Sequence, residues 1–226
     1  MSTQLGFDLP SRTALGRDAF FVAPSNAMAL AMIDSWQTWA GAKLVLTGPA
    51  GSGKTHLAHV WADMAQAQIV AAADLTAGSI PQLVSSNVAV EDVPQIATDA
   101  AAQTALFHLH NLALAEGRSL LLTGAGPVAT WGLTLPDLDS RLRGTTAVAL
   151  EPPDDALLSA LLVKLLADRQ LMPKHDLIPY LLTRMDRSFT AAIALIAELD
   201  AASLALKRPV TRALAAQVLD KGTPKG

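Results

Sequence analysis

The stretch Gly48-Pro-Ala-Gly-Ser-Gly-Lys-Thr55 decides the fold, because it fits the pattern G-x-x-x-x-G-K-[ST] at every constrained position. The residues before it, 43–47, are mostly apolar and predict a buried strand. The residues after it, 54–66, have helical spacing. A strand that leads through a glycine-rich turn into a helix directs backbone N–H groups at one point, and such a point binds anions. The apolar residues expected on the buried face of the helix are Leu57, Val60, Trp61 and Met64.

This motif predicts how a nucleoside di- or triphosphate is held. The Lys54 ammonium would reach the β- and γ-phosphates, and the Thr55 hydroxyl would bind Mg²⁺. Backbone N–H groups of the loop would surround the phosphates. We call residues 48–55 the P-loop. The predicted nucleotide-binding residues here are Gly48, Pro49, Ala50, Gly51, Ser52, Gly53, Lys54, Thr55 and, directly after the loop, His56.

A second acidic group is needed to organise Mg²⁺ and the attacking water. The segment 88–92, Val-Ala-Val-Glu-Asp, is an apolar strand candidate that ends in an acidic pair. We therefore expect Glu91 on the metal side and Asp92 on the water side, where Asp92 would act in catalysis. The alternative is that both residues simply end a strand.

Composition limits the class of protein. The chain has 226 residues, a net charge of −3 and no cysteine, so disulfides and thiolate chemistry are excluded. We find no apolar run of about 18 residues and no signal peptide, and we expect a cytoplasmic protein that does not enter a membrane. The absence of a long basic run gives little support to non-specific DNA binding.

Strand and helix signals alternate over the first 150 residues and then give way to helices alone. This order predicts an α/β fold with a parallel five-stranded sheet flanked by helices, followed by a C-terminal helical lid. We expect a tail at 1–10, a nucleotide-binding subdomain at 11–152 and a lid at 153–226. The predicted strands are 43–47, 68–73, 87–90, 119–123 and 145–150; the predicted helices are 26–39, 54–66, 99–116, 136–143, 154–170, 176–185, 189–207 and 211–220.

Arg141 is ambiguous on chemistry alone. An arginine can stabilise transition-state charge on a phosphate in cis or in trans. It can equally be a surface residue paired with Asp137, and without further information that simpler interpretation is favoured. Arg143 lies two residues away on the same predicted helix, so the two side chains point in different directions.

Beyond the P-loop, the chain resembles the DnaA family of AAA+ replication proteins from residue 20 to residue 219. Within that family it is most similar to the short homologues of the Hda (HdaA) type, which lack the DNA-binding domain of the initiator. The segment Leu135-Pro-Asp-Leu-Asp-Ser-Arg-Leu142, placed after Thr123-Gly124, is the most specific match. The other matching segments are Phe20–Asn26, the P-loop with His56-Leu57, 88–92, 120–124, 150–153, 185–187 and 199–203.

The resemblance implies roles for residues that chemistry alone leaves open. Arg141 matches an arginine finger that reaches the nucleotide of a neighbouring subunit. The segment 20–26 matches one that lies against adenine and ribose, although its two phenylalanines could also be core residues. The segment Gln4-Leu-Gly-Phe-Asp-Leu9 resembles a peptide that docks on the sliding clamp (β subunit) of DNA polymerase. The implied base contacts are Phe20, Val22 and Asn26, and the implied clamp contacts are Gln4, Leu5, Phe7 and Leu9.

Three departures from the family pattern bear on hydrolysis. Ala125 replaces an acidic residue after the Thr-Gly strand, and Thr190 replaces a lid arginine that reads the γ-phosphate. Arg187 lies one helical turn earlier and is a candidate nucleotide contact in its place. Glu91 replaces a more usual aspartate. We expect nucleotide binding to persist and intrinsic turnover to be slow.

The resemblance therefore predicts a regulatory adapter that stimulates ATP hydrolysis on DnaA while tethered to the clamp. The alternative is an AAA+ ATPase, such as a helicase loader, that remodels DNA-bound partners. Its partners would be DnaA and the clamp, with a homo-oligomer possible and without direct sequence-specific DNA binding.

Overall fold

The computed structural model describes residues 22–222, with side chains up to Asp220. Five parallel strands form one sheet in the order β2-β3-β4-β1-β5. The predicted fold class is confirmed. The strands are β1 Lys43–Thr47, β2 Gln68–Ala71, β3 Val88–Glu91, β4 Leu120–Gly124 and β5 Ala147–Ala149.

Strand β1 lies inside the sheet and is buried on both faces. It pairs with β4, Lys43 opposite Leu120, and with β5, Val45 opposite Ala147. Because side chains alternate along a strand, Val45 faces one hydrophobic core while Leu44 and Leu46 face the other. A near-continuous apolar run is what a strand covered on both faces requires.

Helices cover both faces of the sheet. The helix after the P-loop and the one between β3 and β4 agree with the predicted elements to within a residue or two, whereas a short helix between β2 and β3 was not predicted. The helices of this part are α1 Ala27–Asp34, α2 Lys54–Ala65, α3 Ile80–Leu83, α4 Ala100–Ala115 and α5 Pro136–Arg143.

The first helix ends five residues earlier than predicted. Two 3₁₀ turns, Trp36–Thr38 and Ala40–Ala42, follow α1. They bring the Trp39 ring onto Trp61 of α2, with ring centroids 5.3 Å apart, and the Trp39 indole N–H donates to the Met32 carbonyl at 2.7 Å. Tertiary stacking of these rings therefore overrides the helical pattern of the sequence.

The buried face of α2 is also narrower than predicted. Leu57, Val60 and Trp61 are fully buried, but Met64 is 41% exposed. The core side of this helix ends with Ala65, which is 7% exposed and faces the same cluster. Small alanines thus cover part of the stripe that the periodicity assigned to a large side chain.

Both ends of α4 are capped by local sequence. The Asp99 carboxylate accepts hydrogen bonds from the backbone N–H groups of Ala101 and Ala102 at 3.0 and 2.9 Å. At the other end Gly117, with φ of +69°, allows the Arg118 N–H to donate to the Ala113 carbonyl at 2.8 Å. Glycine suits this C′ position because it adopts a positive φ without steric cost.

From β5 to residue 222 the regular elements are helices, and they enclose a hydrophobic core of their own. Leu158, Leu181, Ile196 and Leu214 come from four different helices and belong to this cluster. The tail at 1–10 lies outside the described residues, and the boundary at 152/153 stays a prediction. These lid helices are α6 Asp155–Asp168, α7 Leu177–Leu182, α8 Phe189–Leu206 and α9 Arg212–Gly222.

Helix α8 is long and apolar enough to cross a membrane by length and composition, contrary to the expectation from apolar runs. Its Ala192, Leu195, Ile196 and Leu199 pack in the lid core against α6 and α9. Packing in the lid accounts for these buried residues, while 22% of the apolar window as a whole is buried. A single such helix is weak evidence for a span.

We predict that Gly117→Ala lowers the free energy of unfolding by about 1 kcal/mol. A Cβ here meets no atom within 4 Å, so the cost comes only from the positive φ. Gly78→Ala is the matched control, since that glycine has no positive φ and a Cβ there would make ordinary contact with the Thr76 Oγ1 at 3.9 Å. Urea denaturation of both variants checks the prediction, and equal costs would contradict it.

Candidate functional site

The P-loop lies at the carboxyl edge of the sheet, the edge at which the strands end. The Lys54 ammonium donates to the carbonyls of Gly48 and Pro49 at 2.9 and 2.8 Å. Lys54 is only 7% exposed. Burial lowers the pKa of Lys54, and the carboxylates of Asp92 and Glu91 oppose this shift. A buried ammonium held by two neutral carbonyls is suited to a phosphate, which would supply the missing negative charge.

Two positions of the loop require glycine because atoms from other parts of the chain lie too close for a Cβ. Gly48 has φ of +150°, and a Cβ there would lie 2.6 Å from the Leu150 carbonyl oxygen at the end of β5. Gly51 has φ of +70°, and a Cβ there would lie 2.4 Å from the Cβ of Ser188. The motif does not constrain position 51, so the lid contact explains a glycine that the pattern leaves free.

The lid contacts the P-loop directly. The Phe189 backbone N–H donates to the Gly51 carbonyl at 3.0 Å, and the Phe189 ring lies 3.2 Å from the Cβ position of Gly53. Ser188 caps α8, with its hydroxyl accepting from the Ala191 N–H at 3.0 Å. Sequence reasoning missed Ser188 and Phe189 at this site. The glycine at position 51 was the signal that could have indicated them.

The acidic pair lies near enough to Lys54 to act on its charge, while the metal-side and water-side roles of Glu91 and Asp92 stay predictions. Glu91 ends β3, and its Oε1 is buried without a hydrogen-bond partner among residues 22–222. Asp92 adopts a left-handed conformation with φ of +55°, and its N–H donates to the Thr123 hydroxyl at 3.1 Å. The Asp92 side chain is exposed. A buried carboxylate oxygen without a donor is suited to a cation or an ordered water.

The remaining polar atoms of the loop also fit a Mg²⁺–nucleotide. The Ser52 hydroxyl is buried without a hydrogen-bond partner in the described part of the chain. Thr55 is exposed at the start of α2. His56 follows it in the first turn and is half-buried. The first N–H groups of α2 have no carbonyl partner within the helix, which leaves them for an anion. Lys54, Ser52 and these N–H groups would hold the phosphates, while Thr55, Glu91 and Asp92 would hold Mg²⁺.

The segment predicted to contact the base is described only from Val22 on, so Phe20 lies outside the described residues. Val22 is 60% exposed and Asn26 is 3% exposed. The Asn26 Oδ1 accepts from the Ala23 N–H at 2.9 Å, which shapes the turn before α1. The Ser25 carbonyl accepts from the Glu151 N–H at 3.1 Å, between β5 and the lid. The segment thus lies next to the carboxyl end of β5, the end that also contacts the P-loop. Its contact with a base stays a prediction.

Arg141 lies at the amino edge of the sheet, the edge at which the strands begin. It is exposed on α5, and its guanidinium carbon is 5.2 Å from the centroid of the Phe107 ring of α4. Within the described chain Arg141 forms no ion pair, so the suggested pair with Asp137 is wrong. Arg143 points elsewhere, and its Nε is 2.6 Å from the Asp139 carboxylate.

The two edges are separated by the length of β1. Lys43, which starts β1, is close enough to Arg141 for the guanidinium to lower the pKa of Lys43. From Lys43 to Gly48 the strand spans about 16 Å. Arg141 therefore does not reach the P-loop of its own chain.

Next to Arg141, the side chain of His110 is fully buried on α4. Its Nε2 lies 3.3 Å from the Lys43 ammonium, which makes the ring an acceptor in its neutral form. Burial, followed by the charges of Lys43 and Arg141, lowers the pKa of His110 to about 4, while the Asn111 side chain opposes the shift. His108 of the same helix is exposed.

The remaining lid and sensor residues have other partners. The Arg187 guanidinium lies 2.8 Å from the Asp155 carboxylate of α6, so in this structure it contacts the lid rather than the P-loop. Thr190 is exposed. The Ala125 carbonyl accepts from the Trp131 indole at 3.1 Å, which gives this position a packing role.

No family model matches the sequence. Among solved structures, the chain is similar to domain III of the replication initiation protein DnaA from Thermotoga maritima, with a TM-score of 0.76 over 94% of this chain and 98% of that one, at 18% identity. The chain has the AAA+ fold. AMPPCP-bound DnaA from Aquifex aeolicus gives a TM-score of 0.66 at 20% identity, covering 79% of this chain and 62% of that one. The RuvB Holliday junction branch migration motor of Thermotoga maritima gives 0.63 at 15% identity, covering 79% and 61%. At these identities the likeness concerns the fold.

We predict that Lys54→Ala weakens ADP binding by about 10- to 100-fold, because it removes the charged donor to the phosphates. Binding of a fluorescent ADP analogue checks this. Lys174→Ala, an exposed lysine of the lid, is the control and should bind as wild type does. Equal affinity of the two variants would contradict the assignment of the loop.

We predict that protein stability falls as the pH drops from 6.5 towards 4, by about 1–3 kcal/mol from His110. The folded pKa of about 4 lies below the unfolded value, so the unfolded chain binds more protons in this window. Above pH 6.5 the neutral His110 ring makes its full contribution to the free energy of unfolding. His110→Gln should flatten the slope of unfolding free energy against pH in chemical denaturation, whereas His108→Gln should not. A slope unchanged in His110→Gln would refute the role of the ring.

Proposed function

We propose that this chain is a regulatory adapter of replication initiation, of the Hda type within the DnaA family. It presents Arg141 to ATP bound by the initiator DnaA and stimulates its hydrolysis, which leaves DnaA in its inactive ADP form and prevents re-initiation. The observation that carries the proposal is the position of Arg141. The guanidinium is exposed and unpaired among residues 22–222, and it lies about one strand length from the P-loop of its own chain.

Arg141 is also held in a defined place. Stacking on the Phe107 ring leaves the edge of the guanidinium, with its N–H donors, free to bind an anion. A pre-positioned guanidinium loses less conformational entropy on contact with a partner. Arginine fingers that act in this way contribute about 10³- to 10⁵-fold in rate in GTPases.

The P-loop of the adapter would hold ADP or ATP with Mg²⁺ as a structural and switching ligand. Thr190 and Ala125 are uncharged, whereas the family carries an arginine and an acidic residue at these two positions. Arg187, the candidate replacement for the arginine, contacts Asp155. These three features support slow intrinsic ATP turnover, and the hydrolysis that regulates initiation would then take place on DnaA.

The N-terminal tail, residues 1–10, would bring the adapter to the DNA-loaded clamp. Gln4, Leu5, Phe7 and Leu9 would bind the sliding clamp as an extended peptide with apolar anchors and one directional hydrogen bond. A tether of this kind raises the effective concentration of Arg141 near DnaA on newly replicated DNA. The adapter would act in the cytoplasm.

The second candidate is an AAA+ ATPase that remodels DNA-bound partners, which the similarity to the RuvB motor fold favours. Such a motor needs its own catalytic turnover, whereas the adapter does not. Intrinsic ATP hydrolysis by the isolated chain, measured well above the rate of a slow GTPase, would favour the motor.

We predict that Arg141→Ala abolishes stimulation of DnaA–ATP hydrolysis, a loss of about 10³-fold at most, limited by the unstimulated rate. The assay contains DnaA–ATP, DNA-loaded clamp and the adapter. Arg143→Ala is the matched control, since it lies on the same helix and its guanidinium pairs with Asp139. Full stimulation by Arg141→Ala would overturn the proposal.

The same assay tests the tether. Gln4→Ala combined with Phe7→Ala should lose stimulation when the clamp is limiting, while ADP binding stays unchanged. Clamp binding of the double variant is measured separately. Clamp affinity equal to that of wild type would show that the tail is not the ligand.

A further inference from the structure

A second cation lies beside the proposed finger. Lys43 starts β1 at the amino edge of the sheet, and Arg141 lies on α5 at the same edge. Both contact the same face of α4. The Lys43 ammonium meets His110 at 3.3 Å, and the Arg141 guanidinium lies over Phe107 at 5.2 Å.

Helix α4 brings the two cations together. Phe107 and His110 are three residues apart, so their side chains are neighbours on one helical face. The neutral, fully buried His110 ring accepts from the Lys43 ammonium and fixes where that charge lies. Phe107 does the same for Arg141 through its ring face. The pair is therefore built by two different kinds of contact from a single helix.

The charges of this pair are not neutralised within the described chain. Among residues 22–222 no carboxylate forms an ion pair with Lys43 or Arg141, whereas Arg143, Arg169, Arg187 and Arg212 each have one. Burial lowers the pKa of Lys43, and the positive charge of Arg141 lowers it too, so the charged form of Lys43 is disfavoured in the free protein. An anion that bridges them would remove this cost and gain two charge-assisted hydrogen bonds.

We propose that Lys43 is a second phosphate-binding cation of the trans site, and that Lys43 and Arg141 together bind the phosphate oxygens of a nucleotide held by the neighbouring subunit. This inference rests on the proposed function, in which Arg141 acts in trans. Lys43 would supply a compact ammonium charge at the start of β1, and Arg141 would supply the exposed guanidinium of α5. The pair spreads positive charge over more than one phosphate oxygen.

The first experiment tests the anion site without any partner protein. In a Lys54→Ala background, where the P-loop has lost its phosphate-binding lysine, inorganic tripolyphosphate should raise the melting temperature by about 2–4 °C. Adding Lys43→Gln, or adding Arg141→Ala, should remove most of that rise. Adding Lys174→Gln, an exposed lysine of the lid, should leave it. No rise in the Lys54→Ala protein, or a rise that survives Lys43→Gln, would overturn the proposal.

The second experiment separates the lysine from the finger. In the DnaA–ATP assay, Lys43→Gln should lower the stimulated rate at saturating adapter about 10-fold, with the half-saturating concentration changed less than threefold. Lys43→Arg should restore the rate to within about threefold, because it keeps the charge and the donor to His110. A Lys43→Gln variant that stimulates like wild type, beside an inactive Arg141→Ala, would refute the role of Lys43. Full stimulation by Arg141→Ala would instead refute the proposed function, and the tripolyphosphate result would then decide the anion site by itself.

Discussion

The parallel direction of β1, hydrogen-bonded between β4 and β5, is the constraint on which the rest of the structure depends. In a parallel sheet all strands end at one edge, so the P-loop, the Glu91–Asp92 pair and Thr123 meet there. All strands begin at the other edge, where Lys43 and Arg141 lie. One strand thereby separates the P-loop from the pair Lys43 and Arg141, for which we propose a role in trans.

The carboxyl edge is held together by contacts that a nucleotide would change. Lys54 is buried against two loop carbonyls, and Glu91 keeps a buried oxygen without a donor in the described chain. The lid rests on the same loop through Phe189 and Gly51. The same loop contacts both the lid and Lys54. Binding of a phosphate to the loop would therefore change its contacts with the lid. This coupling suits a nucleotide that acts as a structural and switching ligand.

Local patterns predicted most of the fold. The strand before the P-loop, the capped helix α4 and the glycine at 117 follow from periodicity and capping rules that act over a few residues. The end of α1 and the exposure of Met64 could not be predicted in this way. The first depends on the Trp39–Trp61 stack and the second on alanine packing, and both involve residues distant in sequence. Ser188 and Phe189 were missed for the same reason, since they lie more than 130 residues after the loop that they contact.

The sequence by itself predicted a phosphate-binding loop, because eight consecutive residues carry both the glycines that shape the turn and the lysine and threonine suited to a phosphate. It also determined the alternation of strands and helices that makes the sheet parallel. Only the tertiary structure showed that Arg141 lies about one strand length from the P-loop of its own chain, that its charge has no ion-pair partner in the described chain, and that Lys43 lies beside it. Those properties depend on which edge of the sheet a residue occupies and on a helix 60 residues away in sequence, and spacing along the chain does not encode either one.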